Sequence, residues 1–272
     1  MTIRPFRSLL IVPLIALALV ACSSDEVAYV EKPAEQLYNE ASAAMEDKDF
    51  KEAARLFDEV ERQHPYSQWA TRSQIMAAHA YYQDMKYDES IVALDRFIQL
   101  HPGSEQTPYA YYLKALCYYE QITDVRRDQK TTKQALDTLT EVVRRFPDTE
   151  YARDAKIKLD LTNDHLAGKE MEIGRFYLRQ NNINAAIGRF KAVIDTYQTT
   201  SHAPEALHRL TEAYLSMGLT EEARRTAAVL GHNYPGSEWY QDSYALLVDP
   251  NARPEDSRKG TMTRVWESIN PF

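Results

Sequence analysis

One spacing of residues recurs five times along this chain and constrains its fold more than any other feature. A small residue is followed four positions later by an apolar residue, and eight positions further on by proline or its replacement. The five sets are Ala53–Phe57–Pro65, Ser90–Leu94–Pro102, Ala135–Leu139–Pro147, Ala186–Phe190–Gln198 and Ala223–Ala227–Pro235. A spacing of four places two residues on one helix face, and proline stops a helix. The pattern predicts five similar helical units.

A first helix precedes the recurring set in each unit. Twelve residues before the small position lies another small or nearly small residue in four units: Ala41, Ala78, Gly174 and Thr211. After four of the repeat positions a Ser or Thr can cap the next helix: Ser67, Ser104, Thr149 and Ser237. Glycine is sparse, with 8 in 272 residues, and no long run of alternating β-branched residues occurs. The chain is therefore predicted to be all-α and built from helix pairs.

The units resemble tetratricopeptide repeats. The intervals between the proline positions exceed the roughly 34 residues of a minimal tetratricopeptide unit, so the units carry extensions. The resemblance implies a superhelix of five tetratricopeptide-like helix pairs over residues 34–248. The repeats are predicted at about 34–66, 67–103, 104–148, 149–199 and 200–235, followed by a terminal helix.

The first 21 residues have the pattern of a signal peptide. Arg4 and Arg7 precede an apolar run over residues 9–20, which is short for a membrane-spanning helix. The run ends in Leu19-Val20-Ala21-Cys22, which resembles the lipobox of bacterial lipoproteins. That resemblance implies cleavage before Cys22 and a diacylglycerol thioether and N-acyl group on Cys22. The alternative is an ordinary signal, or an uncleaved helix with a chance cysteine.

Residues 22–33 are predicted to form a lipidated tether. The residue after the cysteine is Ser23, and in lipoproteins an Asp there often causes retention in the inner membrane, so outer-membrane sorting is expected. Cleavage would leave 30 basic against 40 acidic residues, a net charge of −10. This balance disfavours nucleic acid as a partner and disfavours polybasic attachment to lipid. Membrane residence would then depend on the covalent lipid.

The combination of lipobox, five repeats and length is similar to the BamD family, the tetratricopeptide-repeat lipoproteins of the β-barrel assembly machine. The resemblance covers nearly all of residues 22–248. It implies a scaffold on the periplasmic face of the outer membrane that helps to insert outer-membrane proteins. Implied partners are the POTRA domains of the barrel subunit, other lipoproteins of the complex and unfolded outer-membrane protein precursors. An adaptor for cell-wall or division enzymes is the alternative with the same shape.

Tyrosines are concentrated on the first helices of repeats two and three. Tyrosine buries a large area at low rotamer cost, and it is therefore frequent at interfaces. Tyr81, Tyr111 and Tyr112 are candidate partner-binding residues, with packing between helices as an equal alternative. For Tyr82 and Tyr119, packing between helices is favoured.

Charged residues give a second group of candidates. Arg175, Arg179 and Arg189 in repeat four can pair with an acidic partner or form an ordinary solvated face. Residues 122–130 form a charged insertion, interpreted either as a partner contact or as a solvated extension. The tail over 249–272 ends with Trp266, Ile269 and Phe272, which form a partner-binding patch or belong to a disordered segment.

No catalytic or metal-binding motif is apparent in the sequence. The seven histidines form no His-Glu-x-x-His motif, and neither a Gly-rich phosphate loop nor a Gly-x-Ser-x-Gly elbow occurs. Cys117 has no intramolecular partner if Cys22 is lipidated, and it is expected to be a small buried hydrophobic residue. We expect no enzyme activity and no cofactor other than the lipid on Cys22.

Overall fold

The computed structural model describes residues 31–248, which form eleven α-helices and no strand. The helices are α1 Ala34–Glu46, α2 Phe50–Gln63, α3 Gln68–Gln83, α4 Tyr87–Leu100, α5 Thr107–Glu120, α6 Lys130–Arg145, α7 Glu150–Arg179, α8 Ile183–Thr196, α9 Ala203–Ser216, α10 Thr220–Asn233 and α11 Glu238–Val248. The all-α prediction is confirmed.

The helices pack in sequential pairs, from α1 with α2 to α9 with α10, and α11 packs on the last pair. Each second helix also packs on the first helix of the next pair. First helices contact one another along the stack, α1 with α3, α3 with α5 and α5 with α7. This is the arrangement of a tetratricopeptide superhelix, in which first helices line the inner face.

The recurring residues of the sequence form the core between paired helices. The small residues of the second helices and the apolar residues four positions later are all buried: Ala53, Phe57, Ser90, Leu94, Ala135, Leu139, Ala186, Phe190, Ala223 and Ala227. The small residues on the first helices, Ala41, Ala78, Gly174 and Thr211, are also buried. In repeat three the insertion displaces the spacing, and Ala115 is buried beside Leu139 instead. The spacing therefore marks the contact line within each pair.

The turns inside four of the five pairs share one backbone geometry. Each contains one residue in the left-handed region: Lys48, Met85, Asn181 or Gly218. In the last of these turns, Gly218 N–H donates to Leu215 O at 3.0 Å and Leu219 N–H donates to Tyr214 O at 2.9 Å. This is the Schellman pattern, which satisfies the last carbonyls of the first helix. Repeat three has the long loop at this place.

We expect a Gly218→Ala variant to be less stable by about 1 kcal/mol, because φ is +75° and a Cβ is disfavoured there. A Cβ at this position would meet no atom within 4 Å, so the loss would come from the backbone alone. Gly236→Ala is the matched control, since its Cβ also meets nothing and its φ is not in the left-handed region. Urea unfolding of both variants measures the difference, and equal stability would contradict this explanation.

The two extended repeats differ in how they accommodate extra residues. In repeat three the extra residues form a loop over 121–129, which contains nearly all of the charged insertion predicted at 122–130. In repeat four they lengthen α7 to 30 residues, about 45 Å of helix. The amino-terminal part of α7 packs on α5 and α6, whereas its carboxy-terminal part packs on α8. One continuous helix therefore joins the first three pairs to the last repeats.

Three of the four predicted caps form at the expected residue, including Ser237, whose hydroxyl accepts from Trp239 N at 3.2 Å at the start of α11. Ser67 and Thr149 are N-caps, and their side chains accept hydrogen bonds from Ala70 N and Ala152 N. Helix α5 begins later, at Thr107 with Pro108 in its first turn, so Ser104 accepts from Gln106 N at 3.2 Å in the preceding turn. The polar turns thus have the predicted chemistry, with the start of α5 displaced.

The chain segment before α1 is fixed to the end of α2. Lys32 N donates to Gln63 Oε1 at 2.9 Å, and a His64 ring nitrogen lies 2.6 Å from Lys32 O. The Lys32 ammonium also pairs with Glu40 at 2.6 Å. Both backbone groups of Lys32 are therefore bound, and the first helix pair defines where the preceding segment leaves the repeats.

Candidate protein-binding surface

Five aromatic rings form a continuous row across the first helices α3, α5 and α7. His79 lies 6.5 Å from Tyr82 and 6.2 Å from Tyr109 between ring centroids. Tyr151 continues the row, 5.6 Å from Tyr109 and 5.3 Å from Tyr112. All five side chains are partly exposed. We call these five residues the aromatic strip.

Helical register explains why these rings share one surface. Each residue advances by about 100° around a helix. The residues one and four positions after a given residue therefore lie on the same side of the helix as those three and six positions before it. Counted from buried Ala78, His79 and Tyr82 occupy the positions after it. Counted from buried Ala115, Tyr109 and Tyr112 occupy the positions before it. Because α3 contacts α5, these equivalent sides join into one surface.

Two hydroxyls of the strip, those of Tyr109 and Tyr112, take part in hydrogen bonds within the protein. Tyr112 Oη donates to Asp154 Oδ2 at 2.5 Å, and Lys158 Nζ donates to the same oxygen at 2.7 Å. Burial works against ionisation of Asp154, but these two hydrogen bonds lower the pKa of its carboxyl. Tyr109 is hydrogen-bonded to His79, and burial raises the pKa of the tyrosine and lowers that of the histidine. Hydrogen bonds therefore hold three of the five rings, those of His79, Tyr109 and Tyr112, in place.

Two of the three predicted tyrosines lie outside the strip. Tyr81 faces α2, where its hydroxyl donates to Asp58 Oδ2 at 2.5 Å, and burial raises the pKa of both groups. Tyr111 packs on Phe146 with 5.4 Å between ring centroids, and the Arg145 guanidinium carbon lies 5.1 Å from the centroid of the Tyr111 ring. Both belong to contacts between helices. Of the predicted tyrosines, only Tyr112 joins the row of rings.

The three predicted arginines have different surroundings. Arg175 donates to Glu205 at 2.9 and 3.0 Å and to Glu172 at 2.7 Å. Arg189 pairs with Glu170 at 3.0 Å. Arg179 at the end of α7 is exposed, and within residues 31–248 it forms no ion pair. The structure therefore neutralises two of these charges internally and leaves the third available.

His79, Tyr109 and Tyr151 were not among the predicted candidates. Tyr82 packs between helices as expected, 5.8 Å from Tyr87 between ring centroids, and its ring also belongs to the strip. The signal for the first two, and for Tyr82, was present in their spacing from Ala78 and the tyrosine-rich segment around Ala115. Tyr151 gave no such signal. It lies in the first turn of α7, and this long helix does not keep the residue spacing of the other first helices. Tyr119, also assigned to packing, lies beside Lys158, whose ammonium is 5.6 Å from its ring.

Several predicted features lie outside the described residues, namely Cys22, residues 1–30 and the tail with Trp266, Ile269 and Phe272. Cys117 is buried as expected, and burial raises the pKa of its thiol to about 11. Within residues 31–248, no cluster of His, Cys, Asp and Glu is arranged to hold a metal ion. No helix in this range combines the length and apolar character that crossing a membrane requires.

Comparison with known proteins identifies the family. The family model described as "YfiO: Outer membrane lipoprotein" matches residues 30–230. The outer membrane protein assembly factor BamD of Caulobacter vibrioides is 53% identical over 262 residues, covering 94% of this chain and 86% of that protein. BamD of Rickettsia prowazekii is 45% identical, covering 86% of this chain and 93% of its own length.

A more distant relative and a solved structure also match this chain. BamD of Neisseria meningitidis serogroup A is 32% identical, covering 85% of this chain and 92% of its own length. Among solved structures, the TPR2AB domain of yeast Sti1 in complex with pHSP90 has 11% identity and a TM-score of 0.42, covering 88% of this chain and 92% of that one. From the matched family model and the relatives above 30% identity, the chain belongs to the BamD family of outer membrane protein assembly factors, which are lipoproteins and scaffolds without enzymatic activity.

Proposed function

We propose that this protein is the lipid-anchored periplasmic scaffold of an outer-membrane β-barrel assembly complex. In this proposal the aromatic strip binds extended segments of unfolded outer-membrane protein precursors. The carboxy-terminal repeats dock on the POTRA domains of the barrel subunit, and other lipoproteins complete the complex. The lipid on Cys22 holds the scaffold at the outer membrane. The single observation that carries the client-binding part is the continuous row of rings on α3, α5 and α7.

The spacing of the strip suits an extended peptide. Neighbouring ring centroids in the row are 5.3 to 6.5 Å apart. In a β-strand, side chains on the same face repeat every two residues, about 6.7 Å. Strands of outer-membrane barrels alternate apolar and polar residues and carry aromatic girdles. An extended precursor segment can therefore place each apolar side chain against a successive ring.

The chemistry of the strip favours such a client. Half-buried rings that are fixed by hydrogen bonds lose little rotamer freedom when a peptide binds. Aromatic residues at the centre of an interface commonly dominate its binding energy. A surface of this kind binds apolar side chains at regular intervals and does not depend on a particular sequence. This suits a scaffold that has many barrel proteins as clients.

The carboxy-terminal docking surface rests on Arg179. It is exposed at the end of α7, whereas Arg175 and Arg189 are already paired with glutamates. Forming a new ion pair with Arg175 or Arg189 would first require an internal pair to break, which removes most of the gain. Arg179 is therefore the arginine we assign to an acidic residue of the barrel subunit, with Arg175 and Arg189 maintaining the shape of repeat four.

Two variants should separate client binding from docking. Tyr112→Ala is expected to weaken binding of a synthetic peptide with one alternating, aromatic-rich transmembrane strand by about tenfold, because it removes a central ring. Arg179→Glu is expected to weaken binding of the purified POTRA domains by about fivefold, because it reverses an exposed interface charge. Each variant should leave the other interaction unchanged. Fluorescence anisotropy with the mature protein in detergent measures both.

Tyr112→Phe is the matched control for the ring, because it keeps the aromatic face and loses only the bond to Asp154. Its peptide affinity should stay within about threefold of the native protein's. Unchanged peptide binding by Tyr112→Ala would exclude the strip as the client site. A pull-down from solubilised envelopes that recovers cell-wall hydrolases and no barrel subunit would instead support the adaptor function.

A further inference from the structure

A cleft of about 460 Å³ lies where the repeat-three loop meets α6, α7 and the end of α8. Arg126 and Arg127 belong to the loop, Lys133 to α6 and Lys169 to α7. Leu166, Ile173 and Tyr197 supply the less polar part of the lining. We call this site the loop cleft. It shares no residue with the aromatic strip.

The loop cleft brings four cations together without a carboxylate partner of their own in the described part of the chain. Among residues 31–248, none of these four has a carboxylate within ion-pair distance. Elsewhere lysines and arginines are commonly paired, as in Arg96 with Glu61 at 2.6 Å. The two acidic residues of the lining, Asp128 and Glu170, are outnumbered, and Glu170 is already bound by Arg189. The loop cleft is therefore a local excess of positive charge on a chain with a net charge of −8.

The loop is held in this position by specific contacts. Lys169 Nζ donates to the carbonyl oxygens of Arg126 and Arg127 at 3.0 and 3.3 Å, so it binds neutral acceptors and keeps its charge available. Gln129 lines the cleft and is only 8% exposed; its amide donates to Val125 O and Arg127 O. The amide oxygen of Gln129 has no partner among the described residues. A buried acceptor without a donor is costly, and a ligand that supplies an N–H would relieve that cost.

We propose that the loop cleft binds an acidic segment of a partner protein. Asp or Glu side chains of that segment pair with Arg126, Arg127 and Lys133, and an apolar side chain lies on Leu166 and Ile173. A peptide also offers backbone N–H groups that can donate to the side-chain oxygen of Gln129. Clefts with walls of low dielectric concentrate the field of their charges, so several unpaired cations attract carboxylates more strongly here than on a flat surface. The proposal does not depend on which surface binds the precursors.

A peptide fits the loop cleft better than a bilayer does. An anionic membrane is recognised by several basic residues on a flat or convex face. Here the cations surround a concavity that also contains Asp128 and Glu170, which a membrane surface would repel. The acidic balance of the whole chain opposes a membrane further. A narrow segment can enter the concavity and avoid both carboxylates.

The test measures binding of a fluorescein-labelled 12-residue peptide containing Glu and Leu to the full mature protein in detergent. Arg126→Glu with Arg127→Glu is expected to lower the affinity at least about tenfold, because two attractive charges become repulsive. Lys133→Glu, which lies on α6 outside the loop, should also lower the affinity for the peptide. Affinity of the native protein should also fall as salt rises. Lys169 is left unchanged because its ammonium holds the loop.

The control carries the same change of net charge elsewhere. Arg224 and Arg225 are exposed on α10, and their double replacement by Glu should alter the affinity less than about twofold. A peptide with Gln in place of Glu should bind at least about tenfold more weakly than the acidic peptide. Equal affinity of the two peptides, or of the native and Arg126→Glu/Arg127→Glu proteins, would overturn the proposal. Binding of anionic vesicles without binding of the acidic peptide would overturn it in favour of lipid.

Discussion

Replacement of Cys22 with serine is expected to abolish lipid attachment and, with it, retention in the outer membrane. Each buried methylene contributes about 0.8 kcal/mol, so each of the acyl chains proposed on Cys22 contributes roughly 10 kcal/mol. The measurement is incorporation of labelled palmitate together with the intact mass of the purified protein.

Cys117→Ala is the matched control, because Cys117 is the only other cysteine and lies buried on α5. It should take up label at the native level. Serine at position 22 should take up none, and the protein should no longer sediment with outer membranes. Label on the Cys22→Ser protein, or a native mass without fatty acid, would rule out Cys22 as the anchor.

The second large effect is expected where α7 passes over α8. A Cβ added at Gly174 would lie 2.4 Å from Cε1 of Phe190, which is fully buried beside Met171, Val193 and Leu210. Phe190→Ala should cost about 3–5 kcal/mol of folding free energy, since it leaves a cavity. Gly174→Ala should cost about 1–3 kcal/mol, because the ring has no free space to move into. Urea unfolding followed by circular dichroism measures both.

Two further variants make this prediction specific. Gly188→Ala lies on α8 where a Cβ meets nothing within 4 Å, so it should be neutral or stabilise by up to about 1 kcal/mol. Combining Gly174→Ala with Phe190→Leu should cost less than the sum of the single changes, because the smaller side chain makes room for the methyl group. Strict additivity would show that the two residues do not contact each other in solution.

The sequence determined the fold well because the repeated unit has a simple physical basis. A small residue and an apolar residue four positions apart must lie on one helix face, so Ala53 with Phe57 or Ala186 with Phe190 marks each contact line directly. The extension of repeat four was less predictable, since a longer interval can be filled by a loop or by more helix. The segment from Glu150 to Arg179 contains Asn163, Asp164, Gly168 and Gly174, so its residue types alone do not distinguish α7 from a loop.

The candidate site was harder to predict because it depends on contacts between repeats. The many tyrosines of α3 and α5 predicted a binding surface on these helices. Residue type alone could not show that Tyr112 lies on the side of the strip whereas Tyr81 faces α2. Ion pairing across α7, α8 and α9, as for Arg175 with Glu205, has no local sequence signature. The strip and the loop cleft both require the relative placement of three helices. Local patterns do not carry that information.

The unbroken length of α7 sets a distance between the two proposed binding surfaces. Tyr151 in its first turn and Arg179 at its end are separated by about 42 Å of helix. An extended chain needs about 13 residues to cover this distance, whereas a strand that crosses the outer membrane has about 9–11. A single barrel strand is therefore too short to reach from Tyr151 to Arg179, the residues to which we propose that client and barrel subunit bind. Under the proposed function, a client that contacts both surfaces at once would need the following turn or strand as well.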